Sequence, residues 1–201
     1  MKKALIILTL IFSLFSCNET NEYLDNAITQ YENTNQLSDL IHLVKMALKF
    51  QDGVIAKEYS EKLYKIEEDN IEYKCLYAAS LGVYAGSSRD RNQQIEYGQK
   101  SLDLLNECVE TKPDYYLPYL YRGISGVRSP KFLKRYKKSI NDFKQITNML
   151  DNGLVIEDNV ISMVYSYYRR ALLLDGKSSE AKKIMEEFED KYPYLELVKG
   201  I

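Results

Sequence analysis

Residues 165–193, YSYYRRALLLDGKSSEAKKIMEEFEDKYP, carry the pattern on which the fold turns. Tyr165, Tyr168 and Leu172 recur at three- and four-residue intervals, the spacing that lines side chains along one face of an α-helix. Asp175-Gly176 interrupts the run with two turn residues. Ala181, Ile184, Met185 and Phe188 then resume the rhythm, and Pro193 ends it, because proline has no amide to continue a helix. The segment therefore predicts two amphipathic helices joined by a short turn. Such a hairpin cannot bury all its apolar surface alone and needs neighbours of the same kind.

The remainder of the chain supplies them. Leu37, Leu40, Ile41, Val44, Ala47 and Leu48 share one helical face, and Ile55, Tyr59, Leu63 and Ile66 another. Ile95, Gly98, Leu102, Leu105 and Val109 follow the same spacing, as do Phe132, Tyr136, Ile140, Phe143 and Leu150. A shorter helix is expected over Glu22 to Glu32, through Leu24, Ala27, Ile28 and Tyr31. Turn signals separate these runs at Asp52-Gly53, Asp69-Asn70, Gly86-Ser87-Ser88, Lys112-Pro113-Asp114, Ser129-Pro130 and Asp151-Asn152-Gly153. The pattern gives about nine helices and no sheet. First helices of successive pairs are expected near residues 36, 71, 113 and 155, a repeat of about 35 to 42 residues. That period, with two helices per unit, predicts an all-α solenoid of about four antiparallel helical pairs.

At the level of single residues the repeats resemble the tetratricopeptide repeat. In the last unit Tyr165, Tyr168 and Leu172 fill the large positions of the first helix, Gly176 the turn, and Ala181, Met185 and Phe188 the second helix. The third unit offers Tyr121-Arg122-Gly123 followed by Lys138-Ser139-Ile140-Asn141-Asp142-Phe143, and the second Leu81-Gly82 with Tyr84. The resemblance implies a right-handed solenoid whose first helices line a groove that holds a peptide. On that basis the candidate groove residues are Tyr116, Arg122, Arg128, Tyr167 and Arg170. Gly82, Gly123 and Gly126 each cost about 1 kcal/mol relative to alanine inside a helix, which close approach of paired helices would offset. The apolar tail from Leu195 to Ile201 is expected to cover the end of the last repeat.

The N-terminus speaks of location. Lys2 and Lys3 precede a nearly all-apolar run from Ala4 to Ser16, a signal-peptide pattern too short to span a bilayer comfortably. Leu14-Phe15-Ser16-Cys17 resembles the lipobox of bacterial lipoproteins. The resemblance implies lipidation of the Cys17 thiol, removal of residues 1–16, and a lipidated tether over 17–21 ahead of a repeat domain over 22–201. It places the protein at the cell envelope, outside the cytoplasm. Asn18, which is not aspartate, favours the outer over the inner membrane.

Composition narrows the chemistry. The formal charge is −2, and falls to about −4 without Lys2 and Lys3, which gives no reason to expect nucleic acid. Of three cysteines, Cys75 and Cys108 are expected as two buried thiols rather than a disulfide, because the hairpin would set them too far apart. The single histidine, His42, reads as a partly buried packing residue. No Gly-x-Ser-x-Gly elbow, phosphate-cradling loop or zinc-ligand spacing is present. No catalytic residue, metal or cofactor is therefore expected beyond the covalent lipid on Cys17, and no small-molecule substrate.

One charged feature stands out. Arg128, Lys131, Lys134, Arg135, Lys137 and Lys138 lie within eleven residues without an acid. Lys131, Lys134, Arg135 and Lys138 are expected on one helix face, opposite Phe132, Tyr136 and Phe143. The stripe is a solvated outer face, a contact for anionic lipid at about 1 kcal/mol per basic residue near a charged surface, or equally a contact for an acidic partner patch. Together these features point to a membrane-anchored, non-enzymatic scaffold for an envelope protein or peptide segment. An exported inhibitor or immunity-type lipoprotein is the alternative, and a hydrolase a third reading.

Overall fold

The computed structural model describes residues 22–198; the signal run, Cys17, the tether to Asn21 and residues 199–201 lie outside the described residues. Among these, the chain forms helices α1 (22–34), α2 (Leu37–Phe50), α3 (Gly53–Ile66), α4 (Ile71–Ser87) and α5 (Arg91–Thr111). They are followed by α6 (Tyr116–Arg128), α7 (Tyr136–Asp151), α8 (Asp158–Leu174) and α9 (Ser178–Lys191), with one 3₁₀ turn at Lys131–Leu133. No strand occurs among the described residues. The first helices α2, α4, α6 and α8 begin 34, 45 and 42 residues apart, close to the expected repeat. The all-α solenoid of helical pairs is the architecture observed.

Local chemistry sets the helix boundaries. The Asp52 carboxylate accepts from the amides of Val54 (3.1 Å) and Ile55 (3.0 Å), and the Asn70 side chain accepts from Glu72 (3.1 Å) and Tyr73 (3.3 Å). Each supplies a partner to first-turn amides that the helix itself leaves unpaired. Gly176, at φ +78, makes the reversal between α8 and α9, a conformation that costs glycine nothing.

The chain divides into two compact units, one running to Ser101 and the other from Leu102, with the division inside α5. The first is built on Leu40, Leu43, Val44, Leu63, Leu76 and Leu81, all essentially inaccessible. Here α3 packs against both α2 and α4. Gly53 admits the contact with α4, for an added Cβ would lie 2.7 Å from the Tyr84 Cα. Gly82 faces Ser101, whose hydroxyl donates to the Ala78 carbonyl (2.6 Å).

In the second unit α6 packs on α7, α7 on α8, and α8 on α9. Phe143 is the hub: its ring lies against Gly123, with its centroid 6.3 Å from those of both Tyr167 and Tyr168. At the C-terminal end Ile161, Tyr165 and Phe188 form a cluster on which Ile184, Met185, Tyr192, Leu195 and Leu197 pack. The tail is held there by a hydrogen bond from the Val198 amide to the Ser166 hydroxyl (3.0 Å).

Several expected faces shift. On α5 the buried positions are Ser101, Leu105 and Cys108, while Ile95 is 62% exposed; at Ser101 the close approach to Gly82 and Ala78 leaves room only for a small side chain. Ile66, at the C-terminal end of α3, is also exposed. Phe132 is not part of the α7 face. Pro130 and the left-handed Lys134 (φ 52) separate the Lys131–Leu133 turn from α7, leaving Phe132 78% exposed. His42 lies on the exposed side of α2, because the register that buries Leu40, Leu43 and Val44 turns it outward. Cys75 and Cys108 are both buried thiols, as expected.

Candidate functional site

The candidate groove residues belong to α6 and α8, first helices of successive pairs, which contact each other directly in the second unit. They fall into two groups. Arg122 is committed to the interior: its guanidinium donates through Nε and Nη2 to the two Asp142 carboxylate oxygens, at 3.1 and 2.6 Å. Nη1 donates to Asn106 Oδ1 at 2.9 Å, and the same oxygen accepts from Lys138 Nζ at 2.9 Å. Burial, the largest influence on the Asp142 carboxyl, pushes it up, and the hydrogen bond and charge of Arg122 pull it down in part. Arg122 thus ties α6 to α5 and α7 rather than standing ready for a ligand.

Tyr167 is also buried, its ring stacked near Phe143, but its hydroxyl reaches the edge of the helix contact. There it accepts from Arg128 Nε at 2.9 Å, with the guanidinium 5.5 Å from the ring centroid. This bond pins α6 to α8. Tyr116 is half-buried and packs edge-on against Tyr115 at 5.7 Å. Arg170 is exposed on α8. Arg128 and Arg170 are 42 residues apart, the same interval as the starts of α6 and α8, so they hold equivalent positions in consecutive repeats. Both are exposed. Tyr121 and Met163 are related by the same interval and both are half-buried. The sequence contained this periodicity, and applying the 42-residue offset to Arg128 and Tyr121 finds their counterparts.

The basic stripe does not form one helix face. Lys131 belongs to the 3₁₀ turn, Lys134 is its left-handed end, Arg135 precedes the first residue of α7, and Lys138 lies in the first turn of α7. Lys131, Lys134 and Lys138 are exposed, and Arg135 is half-buried. In the first unit a shallow depression of about 370 Å³ is lined by Val54, Lys57, Glu58, Glu61, Lys62, Lys65 and Tyr84. Its charges answer one another, with Lys62–Glu58 at 2.9 Å and Lys65–Glu61 at 3.0 Å. Among the described residues no group of three or more His, Cys, Asp or Glu is placed to hold a metal ion, and no helix is long and apolar enough to cross a membrane.

Known proteins bear on the fold. No family model matches the chain. No curated protein matches it either. Among solved structures it resembles TTC0263, a thermophilic TPR protein of Thermus thermophilus, with a TM-score of 0.68 and 17% identity over 90% of this chain and 88% of that one. It also resembles MamA, with a TM-score of 0.51 and 16% identity over 89% of this chain and 94% of that one. With nine helices among its described residues, repeat starts 34 to 45 residues apart and glycines where paired helices meet, the chain has the tetratricopeptide-repeat fold.

Proposed function

We propose that this chain is a lipid-anchored protein of the bacterial envelope that serves as a scaffold, holding a segment of another envelope protein without catalysing a reaction. The observation that carries the reading is the pair of exposed arginines, Arg128 and Arg170, at equivalent places on consecutive first helices. Two guanidinium groups at equivalent repeat positions suit a partner segment bearing two carboxylates at a matching interval, since a planar guanidinium offers several donors. Half-buried Tyr116 and Tyr121 on α6 add rigid apolar area with a polar tip, which favours recognition at low entropic cost. The Arg128–Tyr167 bond holds the two helices in one arrangement before a partner arrives, so little ordering remains to oppose binding. A lipid on Cys17 would confine the encounter to one membrane surface and raise the effective concentration of both proteins.

In-cell photocrosslinking from positions 116 and 170 tests the scaffold, with exposed Lys182 on α9 as the reference position. The expected result is one reproducible polypeptide adduct from both 116 and 170 and none from 182. Absence of any adduct from 116 and 170 would remove the scaffold reading.

A further inference from the structure

The connection between α6 and α7 is an apolar tip set among cations. Ser129-Pro130 closes α6, the Lys131–Leu133 turn follows, and Lys134 turns the chain into α7. Phe132 is 78% exposed and Leu133 44%. No aspartate or glutamate occurs between Asp114 and Asp142, while Arg128, Lys131, Lys134, Arg135, Lys137 and Lys138 all do. Counter-charge nearby is sparse. Lys137 lies 3.9 Å from Asp175, itself also 3.6 Å from Lys177, and Lys138 donates to the neutral Asn106. Among the described residues neither Lys131 nor Lys134 has an acidic partner.

A lone exposed apolar side chain is ordinary on a protein surface. An exposed aromatic and its apolar neighbour, carried on a turn between unpaired cations, have a more specific chemistry. The ring prefers the boundary between head groups and acyl chains, and the flexible lysine stems let their ammonium groups stay at the phosphate level. An acidic protein surface would satisfy the charges yet would need a cavity for Phe132. A bilayer receives a protruding ring without one. We propose that the 129–138 tip docks on an anionic phospholipid surface, with Phe132 and Leu133 entering the head-group layer and Lys131, Lys134 and Arg135 pairing with phosphates. This contact uses none of the residues proposed to hold a partner segment and does not depend on such a segment.

The chain contains no tryptophan, so Phe132→Trp places a single indole at the tip. Val155→Trp places one on the α7–α8 connection, where Val155 is 91% exposed. Each full-length variant is mixed with vesicles of phosphatidylcholine alone, or of phosphatidylcholine with phosphatidylglycerol. The N-terminal apolar segment can attach the chain to either vesicle, so the composition dependence isolates the tip. The expected result is a blue shift and quenching by brominated lipid for F132W in the anionic vesicles only, with V155W unchanged. Adding Lys131→Glu and Lys134→Glu to F132W should abolish the shift while leaving the helical circular dichroism intact. An F132W emission that is unchanged in anionic vesicles, or that shifts equally in both compositions, would overturn the proposal. So would a shift produced by polyglutamate and not by vesicles, which would assign the tip to an acidic polypeptide. Failed crosslinking from positions 116 and 170 would leave this result untouched.

Discussion

Arg122 on α6 and Asp142 on α7 form a two-point ion pair, Nε to Oδ2 at 3.1 Å and Nη2 to Oδ1 at 2.6 Å, with both side chains almost wholly buried. Removing one member of such a pair leaves an uncompensated charge inside the protein, at a cost of about 3–5 kcal/mol. Arg122→Met is therefore expected to lower the unfolding free energy from urea titration by that much, and R122M/D142L to recover most of the loss. The pH dependence follows from burial, which already raises the Asp142 carboxyl. Without Arg122 it rises further, and a group raised above its unfolded value stabilises below that value and loses the contribution as pH climbs. The deficit of R122M should consequently shrink as the solution is acidified. Urea unfolding at neutral and mildly acidic pH measures it.

Two glycines in helices should respond in opposite directions to alanine. At Gly123 an added Cβ would lie 2.7 Å from the Phe143 ring, which is itself held by Tyr167 and Tyr168. Overpacking of this kind costs about 1–3 kcal/mol, enough to outweigh the gain in helix propensity of about 1 kcal/mol. At Gly86 nothing lies within 4 Å of the added carbon, so only the propensity gain remains. Thermal melts should show G123A destabilised and G86A slightly stabilised.

These contacts also explain what was legible in the sequence. The last repeat could be read because Tyr165, Tyr168, Ala181 and Phe188 are both periodic and buried. On α5 the periodic large residues were a partial guide: Leu105 is buried as its spacing indicates, but Ile95 is exposed, and Ser101 is buried where the helix comes close to Gly82. Phe132 kept the spacing of α7 in sequence, but Pro130 and left-handed Lys134 place it in a separate turn. The Arg122–Asp142 pair could not be read at all. Its members are 20 residues apart on different helices, and their meeting depends on how α6 and α7 are rotated about their axes. The equivalence of Arg128 and Arg170, by contrast, was present in the repeat length.

Cys17→Ala tests the anchor. The expectation rests on Leu14-Phe15-Ser16-Cys17, and the cysteine sulfur is the only atom in that stretch that can form the thioether to lipid. The C17A chain should lose metabolic acyl labelling and accumulate at precursor mass. Labelling that survives the substitution would show that Cys17 is not the acceptor.

Alkali should unfold the chain in step with its tyrosines. Burial raises the phenols of Tyr59, Tyr119, Tyr165, Tyr168 and Tyr192. Tyr165 is raised most, its hydroxyl also donating to Glu187 Oε1 at 3.0 Å, a bond that tyrosinate could not make. Since the folded values exceed the unfolded value of about 10, this stabilisation is complete below that pH and is lost as pH rises beyond it. Tyrosinate absorbance, uncomplicated by tryptophan, should show these raised phenols ionising together with loss of helical circular dichroism. A single smooth titration with the helices intact would contradict this account.

The C-terminal tail should behave as a cap. Leu195 and Leu197 lie on the Ile161–Tyr165–Phe188 cluster, and the Val198 amide is tied to Ser166. Repeats stack by burying the face each one presents to its neighbour, and Leu195 and Leu197 lie on such a face of the α8–α9 pair. The tail covers part of that face. Deleting residues 195–201 returns two half-buried leucines to water, a loss of about 2–3 kcal/mol by burial of apolar area. It also uncovers aromatic surface, so the truncated chain should self-associate as concentration rises. Ser166→Ala removes the bond from the Val198 amide together with the hydroxyl's own donation to the Ser162 carbonyl (2.7 Å), and should cost about 1 kcal/mol with no change in association state. Sedimentation velocity on the two variants separates these effects: equal, monomeric behaviour of both would show that the tail does not cap the repeat.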